Sequence, residues 1–442
     1  MKFKEPKNSN YAAIIVSISN VIPLEGMDRI QAAIILGNQV IVGKNINKGD
    51  MGIYFPVECQ LNAEYLKNNN LYRKADLNLD PKARPGYFEE NGRVRCAKLG
   101  GHKSEGIFMP LESVNYAGEF TFEIGDTFDE LNGHEICKKY IVKQNRTPGQ
   151  PGNKKIRNTK KYESKLVENQ FRFHQDTSML FRNLHRINPD SLISITYKIH
   201  GTSGISSYVL CKRKLNWIEK LLYKLKVSIK TEQYDYLYSS RKVIKNEELN
   251  PNAQHYYGED IWGIAHKELE PFLEKGMTLY YEICGYLPSG GLIQKDYDYG
   301  FLNPIESGST KHTLGFNYGI FIYRITHTNT DGKVFEFSAK QVQDWCKKNG
   351  LNAVPELYYG YAKEFSDERL TEENWRNKFL ETIKQRYNEK LCYMCQNQIP
   401  EEGVVIRIEG LDFEAYKQKS TAFYERETAQ LDKGESNIED EN

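Results

Sequence analysis

No apolar run in this chain reaches the roughly 18 residues that a membrane-spanning helix needs, so no crossing of a bilayer is expected. An apolar signal core is missing too: the chain opens MKFKEPKNSNYAA, which is polar. These absences predict a soluble, intracellular and cytoplasmic protein with no membrane partner. Cysteine is sparse. Cys59, Cys96, Cys137, Cys211, Cys284, Cys346, Cys392 and Cys395 are scattered over 442 residues, which excludes a disulfide framework. Only Cys392 and Cys395 form a CxxC. With no second pair or histidine close in sequence for a zinc site, they read as two ordinary thiols. Internal repeats are absent, and so is a protein-partner signal.

Charge of one sign is also lacking. Lysine and arginine number 60 against 59 acids, a net charge of +1. The distribution is uneven, however. Residues 141–165 carry Lys143, Arg146, Lys154, Lys155, Arg157, Lys160, Lys161 and Lys165 against one acid, Glu163. Lys212 to Lys230 form a second basic run, and the tail after Tyr424 is acidic. Such local patches meet phosphate better than the total suggests.

Length and an apolar share of 39% support two cored domains. Residues 1–140 read as β throughout. YAAIIVSISNVIPL reads as a first strand, RIQAAIIL and QVIVGK as a hairpin around Gly37-Asn38, and MGIYFPVECQL, RVRCAKLGG and GIFMPL as further strands. Short strands with Gly-rich turns predict a small barrel, interrupted by a polar insert at 60–90. TPGQPGNKK and the basic run mark a linker over 141–170. Residues 171–424 mix strands (SLISITYKI, TLYYEICGYL, YGIFIYRI, GVVIRIEG, FEAYK) with helical stretches at PFLEK and upstream of it, and at Asp367–Lys390. Without strict alternation this predicts an α+β domain. WIEKLLYKL at 217–225 reads as a surface helix packed on the core. The acidic stretch 425–442 is expected to be disordered.

In ISITYKIHGTSG, strand alternation puts Ile193, Ile195 and Tyr197 on one face and Ser194, Thr196 and Lys198 on the other. The strand breaks at Gly201, which allows close approach of backbone to a ligand. A lysine at such a strand end is placed to act as a nucleophile once deprotonated. Its company carries the argument: Ser240 and Arg241 in YSSRK, Glu282 in YYEICG, Phe321 and Tyr323 in IFIYRI, Glu402 in EEGVVIRI, and Lys417 and Lys419 in AYKQKS. A carboxylate at the edge of an apolar strand is costly unless paired or bound. Two carboxylates and several cations at strand positions suit a triphosphate with its metal.

The ordered series KIHG, SRK, YEICG, IFIYRI, EGVVIR and YKQKS resembles the motifs of the covalent nucleotidyltransferases, which include polynucleotide ligases and mRNA-capping guanylyltransferases. KIHGTS is similar to the first motif of nick-sealing RNA ligases; DNA ligases and capping enzymes more often carry Asp where His200 stands. VIPLEGMDRIQAAIILGNQVIVGKNINKGDMGIYFPVECQL, RVRCAKLGGHKSEGIFMPL, and FHQDT with Leu180 and Arg182 resemble the Deinococcus-type RNA ligases, whose OB domain comes first.

The resemblance implies an N-terminal OB-type β-barrel followed by an ATP-grasp-like nucleotidyltransferase domain with antiparallel sheets. It implies ATP and Mg²⁺ or Mn²⁺ as cofactors, and RNA or a nicked RNA-containing duplex as partner. By the same resemblance Lys198 carries AMP, and Gly201 belongs to the nucleotide-binding set. Arg241 contacts phosphate, Glu282 the ribose, and Tyr323 or Phe321 stacks on adenine. Glu402, with Glu282, holds the metal through water, and Lys417 and Lys419 meet the α-phosphate. His200 and Arg182 are further candidates for phosphate or metal-water contact. A GTP-using capping enzyme and a binding protein without catalysis are the competing expectations.

Overall fold

The computed structural model describes residues 3–142, 165–246, 255–308, 311–366 and 375–434. The basic run expected as a linker falls largely outside these residues, as do 367–374 of the stretch expected to be helical.

The N-terminal half contains β1 (Ala13–Ser17), β2 (Asn20–Pro23), β3 (Ile30–Ile35), β4 (Asn38–Gly43), β5 (Met51–Phe55), β6 (Cys59–Leu61), helix α1 (Ala63–Asn68), β7 (Cys96–Leu99), β8 (His102–Glu105), β9 (Ile107–Pro110), β10 (Thr127–Phe128), β11 (Glu130–Leu131), β12 (His134–Glu135) and β13 (Cys137–Lys139). They pair as one four-stranded sheet in the order β10-β1-β5-β9, a β2-β3-β4 sheet, and short two-stranded pairs.

Among the described residues these strands do not close into a barrel. Side chains bridge β4 and β8 where a ladder would be needed. Ser104 Oγ accepts from the Ile41 N–H at 3.0 Å, and Gln39 Nε2 donates to the Lys103 carbonyl at 2.8 Å. YAAIIVSISNVIPL is two strands in different sheets, because the chain turns between Ser17 and Asn20. The hairpin turn sits at Leu36-Gly37, one residue before the expected position, with φ of +48° and +73°. Glycine supplies the second of those left-handed positions at little cost. The insert at 60–90 is not merely polar: Tyr65, Leu66, Tyr72 and Phe88 join a core with Ile15, Ile53 and Phe55.

The second half contains β14 (Ser178–Met179), α2 (Leu180–Asn183), β15 (Leu192–Tyr197), β16 (Thr202–Lys212), α3 (Trp217–Lys224), β17 (Glu232–Ser240), α4 (Ile261–Leu269), β18 (Met277–Gly285), β19 (Tyr318–Thr328), β20 (Val334–Glu336), α5 (Ala339–Asn349), β21 (Asn352–Ala353), β22 (Glu356–Tyr361), α6 (Trp375–Tyr387), β23 (Gly403–Ile408), β24 (Glu414–Lys419) and α7 (Thr421–Asp432). Two sheets organise it, in the orders β14-β24-β23-β15-β22 and β17-β16-β18-β19-β20. All neighbours on these two paths are antiparallel except β14 with β24. The expected α+β class and antiparallel sheets are therefore present.

One core crosses the expected domain boundary. Ile14, Val16, Val40 and Val42 pack with Ile193, Ile195, Phe379, Val404 and Ile406. Residues 425–432, expected to be disordered, continue α7. Leu431 is buried there, Thr428 Oγ1 accepts from the Cys96 N–H, and Asp432 pairs with Arg93 at 3.1 Å. The acidic face of this helix meets basic side chains of the N-terminal half, which explains why its composition misled. Among the described residues no helix is long and apolar enough to cross a membrane.

Candidate active site

The two sheets of the second half flank an open cavity, about 860 Å³ when the solvent-open space at its mouth is counted. Alternation along each strand decides what reaches it. Ser194 and Thr196 of β15 line the cavity, while Ile193 and Ile195 turn into the core. Lys198 follows directly, its N–H donating to the Gly403 carbonyl at 2.9 Å. That bond ties the end of β15 to the start of β23 and fixes where the amine stands. Ser203, Glu282, Tyr323, Arg241 and Lys417 add to the polar part of the wall, with His174, Thr177 and Arg407.

Lys198 Nζ lies 2.6 Å from Glu402 Oε1, and the Glu402 side chain is almost wholly buried. Its second oxygen, Oε2, lies 3.2 Å from His200 Nδ1. The His200 ring packs against Tyr297 and Phe423, with centroids 4.6 and 5.1 Å away. Tyr299 clamps the backbone: its hydroxyl accepts from the His200 N–H at 2.9 Å and donates to the His200 carbonyl at 3.0 Å. His200 does not line the cavity; it orients the carboxylate that faces Lys198. Gly201 approaches a strand, not a cavity. A Cβ there would stand 2.3 Å from the Ile283 carbonyl oxygen, so glycine lets the chain cross β18.

Glu282 accepts from Ser203 Oγ at 2.9 Å. The Tyr323 hydroxyl lies 2.9 Å from His174 Nδ1, and burial pushes the phenol well above its usual range. Phe321 shares with Tyr323 the aromatic cluster around Tyr299 and Phe301 but does not line the cavity. Arg241 binds Asp176 through Nε at 3.0 Å and Nη2 at 2.6 Å. Burial works to raise the Asp176 carboxyl, yet the guanidinium holds it below the usual carboxylate range.

Lys417 and Lys419 part company. Lys417 is buried against the cavity, whereas Lys419 Nζ sits 3.2 Å from both oxygens of Glu427 on α7. Arg182 is also drawn elsewhere. Its Nη2 donates to the Ala12 carbonyl at 2.5 Å, and burial pushes the guanidinium down to about 10. It joins the two halves of the chain and is not part of the cavity wall. Sequence reasoning did not single out His174, Asp176, Ser203 or Arg407 for roles. The FHQDT motif contains the first two, and their spacing carried that signal.

The CxxC lies behind the cavity in the cluster of Tyr197 and Ile399. The Cys395 thiol, through a hydrogen bond, lowers Cys392 to about 6, and that same bond together with burial raises Cys395. Among the described residues no group of three or more His, Cys, Asp or Glu is arranged to hold a metal ion.

The Naegleria gruberi RNA ligase with pyrophosphate aligns over 96% of this chain and 99% of its own, at 16% identity and a TM-score of 0.57. The two chains share one fold. A lysine-to-methionine variant of that ligase, with AMP and manganese, aligns over 94% and 98% at 15% identity and a TM-score of 0.56. A lysine-to-alanine variant, with ATP and manganese, gives 94% and 98% at 16% identity and 0.56. No family model and no curated protein matches the sequence.

Proposed function

We propose that this chain is an ATP-dependent RNA ligase that carries AMP on Lys198. The observation that supports this best is the Lys198 amine, 2.6 Å from a buried carboxylate, at a cavity that also gathers Glu282, Arg241, Tyr323 and Lys417. The shared fold with a ligase found with ATP, AMP and manganese points the same way.

Lys198 Nζ attacks the α-phosphorus of ATP, and the bond to the bridging oxygen of pyrophosphate breaks. Glu402 stands where the amine's proton must go, and His200 holds that carboxylate in place. Lys417 and Arg241 offset charge at phosphorus, Glu282 binds the ribose hydroxyls, and the Tyr323 ring stacks on adenine. AMP then passes to a 5′-phosphate end. A 3′-hydroxyl attacks that phosphate and expels AMP, forming the phosphodiester bond.

The hard carboxylate oxygens of Glu402 and Glu282 would hold Mg²⁺ or Mn²⁺ through water. Such an ion supplies charge neutralisation at the phosphates. The N-terminal half, OB-like in sequence though open in its strand pairing, grips RNA by backbone and shape. VIPLEGMDRIQ and KIHGTS favour nicks of the kind sealed by Deinococcus-type enzymes. The test is the joining of a 5′-labelled nicked RNA duplex with ATP and Mg²⁺ or Mn²⁺. Sealing that requires ATP supports the reading; no sealing, or covalent labelling by GTP alone, overturns it.

A further inference from the structure

Helix α3 is built with care and then left uncovered. Asn216 and Glu219 form a full capping box: Asn216 Oδ1 accepts from the Glu219 N–H, and Glu219 Oε2 accepts from the Asn216 N–H, both at 2.8 Å. Arg213 fastens the base of the excursion, its Nη2 reaching Glu219 Oε1 at 2.6 Å and the Lys230 carbonyl at 3.0 Å. Lys226, at φ +59°, closes the other end. Ile218, Leu221, Leu222 and Leu225 fall at i, i+3, i+4 and i+7, one apolar stripe. A stripe like this was expected to pack on the core. Instead no residue of α3 is buried among the described residues: Trp217 is 76% exposed and Leu225 66%. Val227, just beyond, is exposed as well.

The surroundings are cationic. Residues 212–230 carry seven lysines or arginines and one acid, Glu219, which the cap and Arg213 already occupy. Lys220 and Lys224, four residues apart, stand on the side away from the aliphatic stripe. We propose that α3 with its basic flanks docks this protein on an anionic phospholipid surface. Acyl chains accept Ile218, Leu221 and Leu225, lysines meet the headgroup phosphates, and Trp217 sits at the interface. RNA fits less well: Trp217 and Tyr223 are exposed rings, but the continuous stripe is aliphatic, which acyl chains match and bases do not, and the one arginine is tied down within the excursion. A helix lying on a bilayer needs no spanning run, so the missing hydrophobic stretch does not oppose this. β16 separates α3 from the cavity: its Thr202 end adjoins the site and its Lys212 end leads to the helix, about 33 Å along the strand. The Lys198 cavity stays open while α3 is docked.

The experiment is flotation of the full chain with vesicles of phosphatidylcholine and phosphatidylglycerol, against phosphatidylcholine alone. The wild type floats with the anionic vesicles only, less so as salt rises. Its tryptophan emission shifts to the blue, a shift that W217F removes. L221D and L225D each lower vesicle partition about tenfold or more, and K220E with K224E lowers it as well. Thermal melting checks that each variant keeps its fold, as the exposed positions predict. Three outcomes overturn the proposal: no flotation with anionic vesicles, flotation unchanged by both aspartate variants, or loss of RNA retention in those variants with vesicle binding intact.

Discussion

Replacing His200 with aspartate tests the Lys198–Glu402–His200 chain most sharply, because it sets a second carboxylate against Glu402. In this chain His200 Nδ1 is 3.2 Å from Glu402 Oε2, and both side chains are largely buried. The shorter aspartate would set its carboxylate about 4 to 5 Å from that of Glu402. At an effective dielectric of about 20, like charges at that distance repel by about 3 to 4 kcal/mol. The hydrogen bond to Glu402 is lost too, at about 1.5 to 3 kcal/mol. One of the two carboxylates then keeps its proton to higher pH, and Glu402 loses the partner that holds it toward Lys198.

The sign follows from the repulsion. The doubly ionised pair forms only at higher pH, so the acid limb of H200D activity moves to higher pH. At neutral pH its single-turnover labelling with ATP falls about a hundredfold or more, a loss of about 3 kcal/mol. H200N, which carries no charge but stands as far from Glu402 as the aspartate, recovers the part of the rate that the repulsion removes. Thermal melting of the same variants separates a positioning effect from unfolding. H200D labelling as fast as wild type, with an unchanged pH profile, would refute the reasoning.

Gly201→Ala forces a Cβ to within 2.3 Å of the Ile283 carbonyl, so the melting midpoint falls by the equivalent of about 1 to 3 kcal/mol and labelling weakens with it. Tyr323→Ala removes the ring from the cavity wall and raises the KM for ATP about tenfold, whereas Tyr323→Phe loses only the contact with His174 and changes KM little; steady-state kinetics read both. Glu427→Ala leaves Lys419 buried without its carboxylate and costs about 3 kcal/mol in chemical denaturation, with a smaller effect on labelling than Lys417→Ala.

Strand periodicity made much of the site legible. Lys198, Glu282, Tyr323, Arg241 and Lys417 come from separate stretches of sequence, and all five line one cavity. Periodicity does not say which distant segment will meet a side chain. Lys419 shares a strand face with Lys417 but is captured by Glu427, from a stretch whose acidity hid its helical spacing of Phe423, Glu427 and Leu431. Arg182 reaches a carbonyl 170 positions earlier in the chain. His200 was visible as a departure from the usual carboxylate, but its role needed the distance to Glu402. The strands of the N-terminal half were legible one by one, and their pairing was not, because alternation sets a face and leaves partners open.

The central claim is the covalent bond at Lys198. The most direct measurement is incubation of the full chain with ATP labelled at the α-phosphate and a divalent cation, followed by denaturation and peptide mapping. AMP is expected on the peptide containing Lys198, with its release by added pyrophosphate and no label in Lys198→Ala. Label on another residue, or Lys198→Ala labelled as strongly as wild type, would contradict it.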